Sequence, residues 1–289
     1  MNFIFIAPNF PENYRHFCDR LHRNGVTVLG IGDAPYDSLS DTVKNALTEY
    51  YKVDSLEDYG QAYRAVAFLA FRYGRIDWIE SNNEYWLELD AKLRRDFNIT
   101  TGVMPDELAL WKSKAAMKPV YRSAGIPSAR QHHVSTIEAA RGFLDEIGGY
   151  PVFAKPNVGV GDFVGLEVNM RPAGGFTPDM INFSHSADAY QIWADMISTG
   201  TSEGRKNGPD RWCVFASRKD RFTHVHTHDE ILSRYDGKIV MCQRMPDIFS
   251  EAMGNQMYVA LLDTEDEVRD YVEFILDEQA KIVIPSLYK

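Results

Sequence analysis

The 289-residue chain has few cysteines, no basic stripe and no long apolar run. Its three cysteines, Cys18, Cys213 and Cys242, are far apart and odd in number, which favours reduced thiols over a disulfide framework. The net charge of −10 argues against nucleic acid or an anionic membrane as a general partner. No apolar run approaches the roughly 20 residues of a membrane-spanning helix. We therefore expect a cytoplasmic protein that acts on metabolites or other proteins.

The residues that are present favour an ordinary globular protein, because 45% are hydrophobic and 25% are charged. At this length the chain can form two domains with substantial cores. The first 31 residues alternate between an apolar strand, a helical pattern and a second apolar strand. This order predicts a parallel sheet, whose ligands gather beyond the carboxyl ends of the strands.

Residues 150–175 carry the strongest chemical signal in the chain, YPVFAKPNVGVGDFVGLEVNMRPAGG. Lys155 ends an apolar strand immediately before Pro156, which holds its neighbour extended. Gly159 and Gly161 then leave backbone N–H groups open to an anion, as in glycine-rich phosphate loops. The pattern indicates a nucleotide phosphate site. A plain turn with a solvated lysine is the alternative.

The next strand of this stretch carries groups that suit a metal ion. Glu167 and Asn169 are two residues apart and therefore share one face of a strand. Mg²⁺ prefers such oxygen ligands, while the planar fork of Arg171 on the same face suits a phosphate or carboxylate. Gly174 and Gly175 would let backbone amides approach a ligand closely. An edge strand with a polar face would give the same alternation.

Four stretches in order resemble the ATP-grasp superfamily of ATP-dependent carboxylate–amine ligases and carboxylases: SKAAM, AGIPSAR, PVFAKPNVGVG and EVNMRPAGG. The resemblance implies that Lys114 and Lys155 contact ATP phosphates. It implies that Glu167 and Asn169 are metal ligands and that Arg171 binds an anion, steering a carboxylate or the acyl-phosphate formed from it.

The resemblance also assigns a substrate role to ESNNE, a polar cluster at residues 80–84 that follows a predicted strand. In this family the corresponding loop lies over the substrate, so Asn82 and Glu84 become candidate substrate contacts. The two glycines at 174 and 175 join them as candidates. Alternatively, Asn82 or Asn83 caps the following helix, with Glu84 favourable in its first turn.

The chain differs from the family between Gly161 and Asp162. In the family, a segment as long as a small domain lies at this point and holds adenine, and this sequence lacks it. We therefore predict an α/β fold in three parts. A Rossmann-like N-terminal domain of the pre-ATP-grasp type occupies residues 1–104. A shortened ATP-grasp region occupies 105–200, and a C-terminal α+β unit occupies 201–289.

The predicted function is ATP- and Mg²⁺-dependent activation of a carboxylate as an acyl-phosphate, which an amine or another nucleophile then attacks. The expected partners are small-molecule carboxylate and amine substrates. We expect neither nucleic acid nor a membrane as a partner, and a homodimer is possible. One alternative is a non-catalytic binding or assembly protein on a truncated scaffold. Another is a metal protein, because His224, His226 and His228 alternate and could share one face.

Overall fold

The computed structural model describes residues 1–126, 136–147, 172, 174–202, 208 and 210–277. The chain divides into two compact units. Unit 1 comprises Met1–Gly174 with Ile197–Gly200, and unit 2 comprises Gly175–Met196 with Thr201–Lys289. The three predicted domain boundaries stay a prediction.

Unit 1 contains a four-stranded parallel sheet in the order β3-β2-β1-β4. The strands are β1 (Asn2–Ile6), β2 (Thr27–Gly32), β3 (Glu49–Lys52) and β4 (Trp78–Glu80). Each strand is joined to the next by a segment that contains a helix, which is how parallel neighbours are connected. The predicted Rossmann-like parallel sheet is thereby confirmed, and all four carboxyl ends lie at one edge.

The helices of unit 1 lie between the strands and after β4. In chain order they are α1 (Arg15–Arg23), α2 (Asp41–Ala46), α3 (Tyr59–Tyr73), α4 (Leu87–Asp96), α5 (Pro105–Lys112), α6 (Lys114–Ser123) and α7 (Ile137–Ile147). Helices α5 and α6 are separated at Ser113. The Ser113 hydroxyl accepts a hydrogen bond from the backbone N–H of Ala116 at 3.1 Å, so this residue caps α6.

In the core of unit 1, helices α3 and α4 pack against one face of the sheet. Ile4 and Ile6 of β1 contribute to it together with Val66 of α3 and Leu93 of α4, and all four are fully buried. Residues of β1 that point to the opposite face, such as Phe5, are also fully buried. Burial on both faces explains the continuous apolar run of this strand.

Unit 2 contains a three-stranded antiparallel sheet in the order β5-β7-β6. Its strands are β5 (Trp212–Arg218), β6 (Ile239–Arg244) and β7 (Gln256–Leu262). The helices are α8 (Thr177–His185), α9 (Ala189–Thr199), α10 (His228–Arg234), α11 (Asp247–Met253) and α12 (Glu265–Leu276), with the last residues of α9 assigned to unit 1. The predicted α+β character of this region is confirmed.

The central strand β7 divides the apolar residues of unit 2 between two faces. Tyr258 and Ala260 belong to a cluster with Tyr271 of α12, whereas Met257 and Val259 belong to another cluster on the opposite side. This alternation follows the two-residue period of a strand. Each face of the sheet therefore has its own apolar layer.

Two secondary-structure predictions for unit 2 are wrong. The strand expected at residues 222–226 is absent, since only His224 makes an isolated bridge there. Helix α11 was not predicted, because its seven residues begin at Asp247 after Pro246 and end at Gly254 without a clear apolar period. Within the described part of the chain, no helix is long and apolar enough to cross a membrane.

Candidate functional site

The carboxyl end of β4 carries an unusual concentration of buried polar residues. Glu80 is 8% exposed, and Ser81 and Asn82 are fully buried. Two charged residues of helix α4 belong to the same cluster, Asp90 with 0% and Arg94 with 1% exposure. Fully buried charges are rare unless they are paired, so the hydrogen-bond partners of each polar atom determine whether this cluster is stable.

Arg94 is the best satisfied member of the cluster. Its Nη2 donates to Glu80 Oε2 at 2.6 Å, and its Nη1 donates to the Val103 carbonyl at 2.9 Å. Its Nε and Nη2 both donate to the Ile79 carbonyl, at 2.9 and 2.6 Å. This arginine therefore ties α4 to the last residues of β4 and neutralises one of the two buried carboxylates.

Asp90 is the second buried carboxylate. Its Oδ2 accepts hydrogen bonds from the backbone N–H of Ser81 at 3.0 Å and from the Ser81 hydroxyl at 2.6 Å. Burial raises the pKa of Asp90 well above its ordinary value, and the charge of Glu80 raises it further. The site therefore favours the protonated form of this carboxyl group.

Several buried polar atoms near the ends of β1 and β4 have no hydrogen-bond partner among the described residues. They are Asn9 Oδ1, Glu80 Oε1, Asp90 Oδ1 and both amide atoms of Asn82. Strands β1 and β4 are hydrogen-bonded neighbours, and the Tyr14 hydroxyl donates to the Asn82 carbonyl at 2.6 Å, which joins the two loops. Asn82 also has a positive φ of 55°, a strained conformation. Unsatisfied polar atoms and strain at one strand end are typical of binding sites.

An open cleft of about 630 Å³ lies at the same end of unit 1. It is lined by Leu56, Glu57, Tyr59, Asn83, Glu84, Tyr85, Trp86, Glu88, Leu89, Lys92 and Lys112. The lining thus combines aromatic rings with charges of both signs. Its volume is in the range of small-molecule sites.

The charges of the cleft are partly paired. Lys112 Nζ donates to Glu88 at 3.1 Å, and the pKa of Glu88 is lowered by that hydrogen bond and by the charge of Lys112. Across the cleft, the Tyr85 hydroxyl donates to Glu57, which raises the pKa of Tyr85. Tyr85 is nevertheless 68% exposed and stacks edge-on against Trp86. Tyr85 and Glu57, which are 28 residues apart in sequence, therefore meet in the lining of the cleft.

The structure separates the residues predicted in the ESNNE cluster. Asn83 is the helix cap, because its side-chain oxygen accepts from the Tyr85 backbone N–H at 3.0 Å. Glu84 begins the following single-turn helix and lines the cleft, whereas Asn82 is enclosed beneath it. Of the two candidate substrate contacts, Glu84 is the one on the cleft surface.

Most of the predicted nucleotide site lies outside the described residues. This applies to Lys155, Gly159, Gly161, Glu167, Asn169 and Arg171. Lys114 is the first residue of α6, but its side chain is also outside the description. The predicted convergence of these groups, and the missing segment after Gly161, stay predictions.

Gly174 and Gly175 lie directly before α8, and the boundary between the two units falls between them. Gly175 has a φ of +60°, which side-chain-bearing residues rarely adopt. A Cβ built there would lie 3.4 Å from Met253 Cε. Backbone geometry therefore accounts for Gly175 without a ligand.

The alternating histidines do not form a metal cluster. Within the described residues, no group of three or more His, Cys, Asp or Glu side chains could hold a metal ion. His226 stacks on Phe274 with ring centroids 3.6 Å apart, and His228 Nδ1 lies 2.9 Å from the Tyr258 hydroxyl. These two rings are engaged in packing and hydrogen bonding within unit 2.

Sequence reasoning missed the buried charges on α4 and α6. Asp90 and Arg94 occupy the same helical face as Leu93, so charges on the apolar face of α4 were the available signal. A lysine in a helix is ordinarily a solvated surface charge, yet Lys118 of α6 is only 9% exposed. Met117 and Tyr121, its neighbours on α6, are buried as well.

Comparison with known proteins gives structural neighbours but no relatives by sequence. No family model matches the chain, and no curated protein matches it. Among solved structures, an L-amino acid ligase from Bacillus licheniformis aligns over 94% of this chain and 96% of that chain, with a TM-score of 0.61 and 10% identity. At this identity the likeness shows the fold, which is an ATP-grasp-like fold.

Shorter alignments are found with biotin carboxylase domains. That of the Hydrogenobacter thermophilus 2-oxoglutarate carboxylase covers 55% of this chain and 35% of its own, with 23% identity and a TM-score of 0.42. The biotin carboxylase subunit of a pyruvate carboxylase covers 52% of this chain and 34% of its own, with 22% identity and a TM-score of 0.35.

Proposed function

We propose that this protein is an ATP-grasp ligase-like enzyme. It would activate a carboxylate as an acyl-phosphate at the expense of ATP, with Mg²⁺, and pass the acyl group to an amine or another nucleophile. The observation that carries the proposal is the likeness of fold to an L-amino acid ligase along nearly the whole of both chains. The order of the lysine, glycine and Glu-x-Asn-x-Arg motifs in the sequence supports it.

The nucleotide end of the proposed site consists of Lys114, Lys155 and the backbone N–H groups of Gly159 and Gly161. These cations and amides are suited to phosphate oxygens. Catalysis of phosphoryl transfer depends mainly on positioning and on neutralising charge in the transition state. The two lysines would perform that task for the γ-phosphoryl group.

Glu167 and Asn169 would hold Mg²⁺, since a carboxylate and an amide oxygen are the hard ligands that this ion takes alongside water and phosphate. The ion would supply positive charge next to the transferring phosphoryl group. Arg171 would bind the substrate carboxylate or its acyl-phosphate through a bidentate contact.

The substrate end of the proposed site is the cleft of unit 1. Its lining includes the carboxylates of Glu57 and Glu84 and the rings of Tyr85 and Trp86. Carboxylates attract an ammonium group, and aromatic rings accept an alkyl chain or a cation on their faces. We infer that the cleft takes the amine-bearing substrate and that Glu84 contacts it.

A turnover assay tests the proposal. The protein is incubated with MgATP and pools of L-amino acids, and ADP formation and the mass of any coupled product are measured. We expect ADP formation that requires an amine and a carboxylate together. A protein that binds MgATP but forms neither ADP nor coupled product with any pool would instead be a non-catalytic binding protein.

A variant of the cleft separates substrate binding from nucleotide chemistry. With an active pool identified, Glu84→Gln should raise the KM for the amine-bearing substrate by about tenfold, the effect of losing one charged contact, while kcat changes little. Glu251→Gln is the matched control, because the Glu251 side chain is 86% exposed and does not line the cleft. Equal KM values for Glu84→Gln and the parent protein would remove Glu84 from the site.

A further inference from the structure

Lys118 of α6 differs from Lys112 and Lys92 in its surroundings. Its side chain is 9% exposed, and its ammonium nitrogen is buried. Lys112, by contrast, donates to Glu88 at 3.1 Å, and Lys92 approaches Glu88 at 4.0 Å with half of its side chain exposed. A lysine beside apolar residues normally extends its charged end into water. Lys118 does not follow that pattern.

The buried ammonium group of Lys118 has no hydrogen-bond partner among the described residues. The nearby Tyr121 hydroxyl is directed to Met117 Sδ at 3.4 Å. Burial lowers the pKa of Lys118, and no acidic group among the described residues opposes that shift. A buried cation without a counter-charge destabilises the folded state, so its presence calls for an anion that binds there.

The position of Lys118 in α6 indicates what that anion is. Residues 114 and 118 lie one helical turn apart on the same face of α6. Lys114 is the lysine that the sequence motif assigns to ATP phosphates. A phosphate bound at this end of α6 would therefore be one helical turn from residue 118.

We propose that Lys118 is an anion-binding residue that contacts a phosphoryl oxygen together with Lys114. The inference rests on the proposed function for the identity of the anion, while the buried and unpaired ammonium group of Lys118 supports an anion of some kind independently. The chemical class is a phosphate-type oxyanion, supplied by a nucleotide or by inorganic phosphate.

The test compares the full-length protein with Lys118→Met, which keeps the length of the side chain and removes its charge. Thermal melting is measured without ligand, and dissociation constants for inorganic phosphate and for MgATP are measured by calorimetry at matched ionic strength. We expect the variant to melt at a higher temperature without ligand, because an uncompensated buried charge is removed. We expect its affinity for the better-bound ligand to fall about tenfold or more.

Two further variants complete the design. Lys118→Arg keeps the positive charge and should retain most of the anion affinity. Lys52→Met removes a lysine of unit 1 that is 47% exposed and does not line the cleft, and it should change neither the melting temperature nor the affinity. These controls separate the loss of one buried cation from a general change in net charge.

The results distinguish this inference from the proposed function. Binding of MgATP to the parent protein with equal affinity for Lys118→Met overturns the inference and leaves the proposed function intact. Binding of phosphate but not of MgATP, lost in Lys118→Met, supports the anion site and contradicts the proposed function. A parent protein that binds neither ligand, or a variant that melts lower without ligand, overturns the inference.

Discussion

At the scale of single residues, the buried charged groups of unit 1 differ in how fully hydrogen-bond partners compensate them. Arg94 has a carboxylate and two carbonyl groups as acceptors, so its charge is compensated inside the protein. Asp90 has two donors on one oxygen and, among the described residues, none on the other, and its pKa is raised. Lys118 has no partner within the described part of the chain. The degree of compensation distinguishes a structural charge from one that is available for a ligand.

Asp90 gives a pH-dependent prediction. Its pKa in the folded protein is raised above the value of about 4 for an unfolded chain. The folded state therefore holds a proton that the unfolded state has released, and wild-type stability falls as pH rises from about 4 through the raised pKa. Asp90→Asn removes this contribution.

We therefore expect the free energy of unfolding of Asp90→Asn, relative to wild type, to increase with pH. The maximum slope is about 1.4 kcal/mol per pH unit between the two pKa values. Urea titrations at pH 4, 5, 6 and 7 measure it. The control is Asp54→Asn, because the Asp54 side chain is 89% exposed. A constant difference between Asp90→Asn and wild type across this range would contradict the account.

At the scale of elements, several helices begin at a residue whose side chain is a local capping signal in the sequence. Ser40, Asp58 and Thr264 each accept a hydrogen bond from a backbone N–H three residues on and cap α2, α3 and α12. Short polar side chains before an apolar period are a local signal, readable from sequence. Helix α11 has no such cap, since Pro246 precedes it, and it was missed.

Helix α10 provides a prediction for unit 2. The Thr227 hydroxyl accepts from the Glu230 backbone N–H at 3.2 Å, and Glu230 Oε2 accepts from the Thr227 backbone N–H at 2.7 Å. This reciprocal pair is a capping box. Thr227→Ala should lower the free energy of unfolding by about 1 kcal/mol, whereas Thr227→Ser should lower it less. Urea denaturation followed by circular dichroism measures both, and equal losses would show that the hydroxyl does not cap α10.

At the scale of the whole molecule, the sequence predicted the architecture better than the site. The strand, helix and strand in the first 31 residues predicted a parallel sheet, because the period of apolar residues is a local property. The partners of a buried group are not local. Tyr85 bonds to Glu57, 28 residues away, and Arg94 bonds to Glu80, 14 residues away. Neither contact could be inferred without the fold.

The ESNNE cluster shows the same limit within five residues. The sequence placed it at a strand end, which is where the structure has it. Which asparagine caps the helix, and which is enclosed, depends on the positive φ of Asn82 and on the Tyr14 contact from another loop. Sequence could therefore identify the candidate site but not assign its residues.

The central claim, that this ATP-grasp-like chain binds a nucleotide through its lysine and Glu-x-Asn motifs, is tested most directly by calorimetric titration with MgATP. The parent protein is compared with Lys155→Ala and Glu167→Ala. The account predicts saturable binding that both substitutions weaken by at least about tenfold, since each removes a charged contact to the phosphates or the metal. Absence of binding at millimolar nucleotide, or the same affinity in all three proteins, would contradict it.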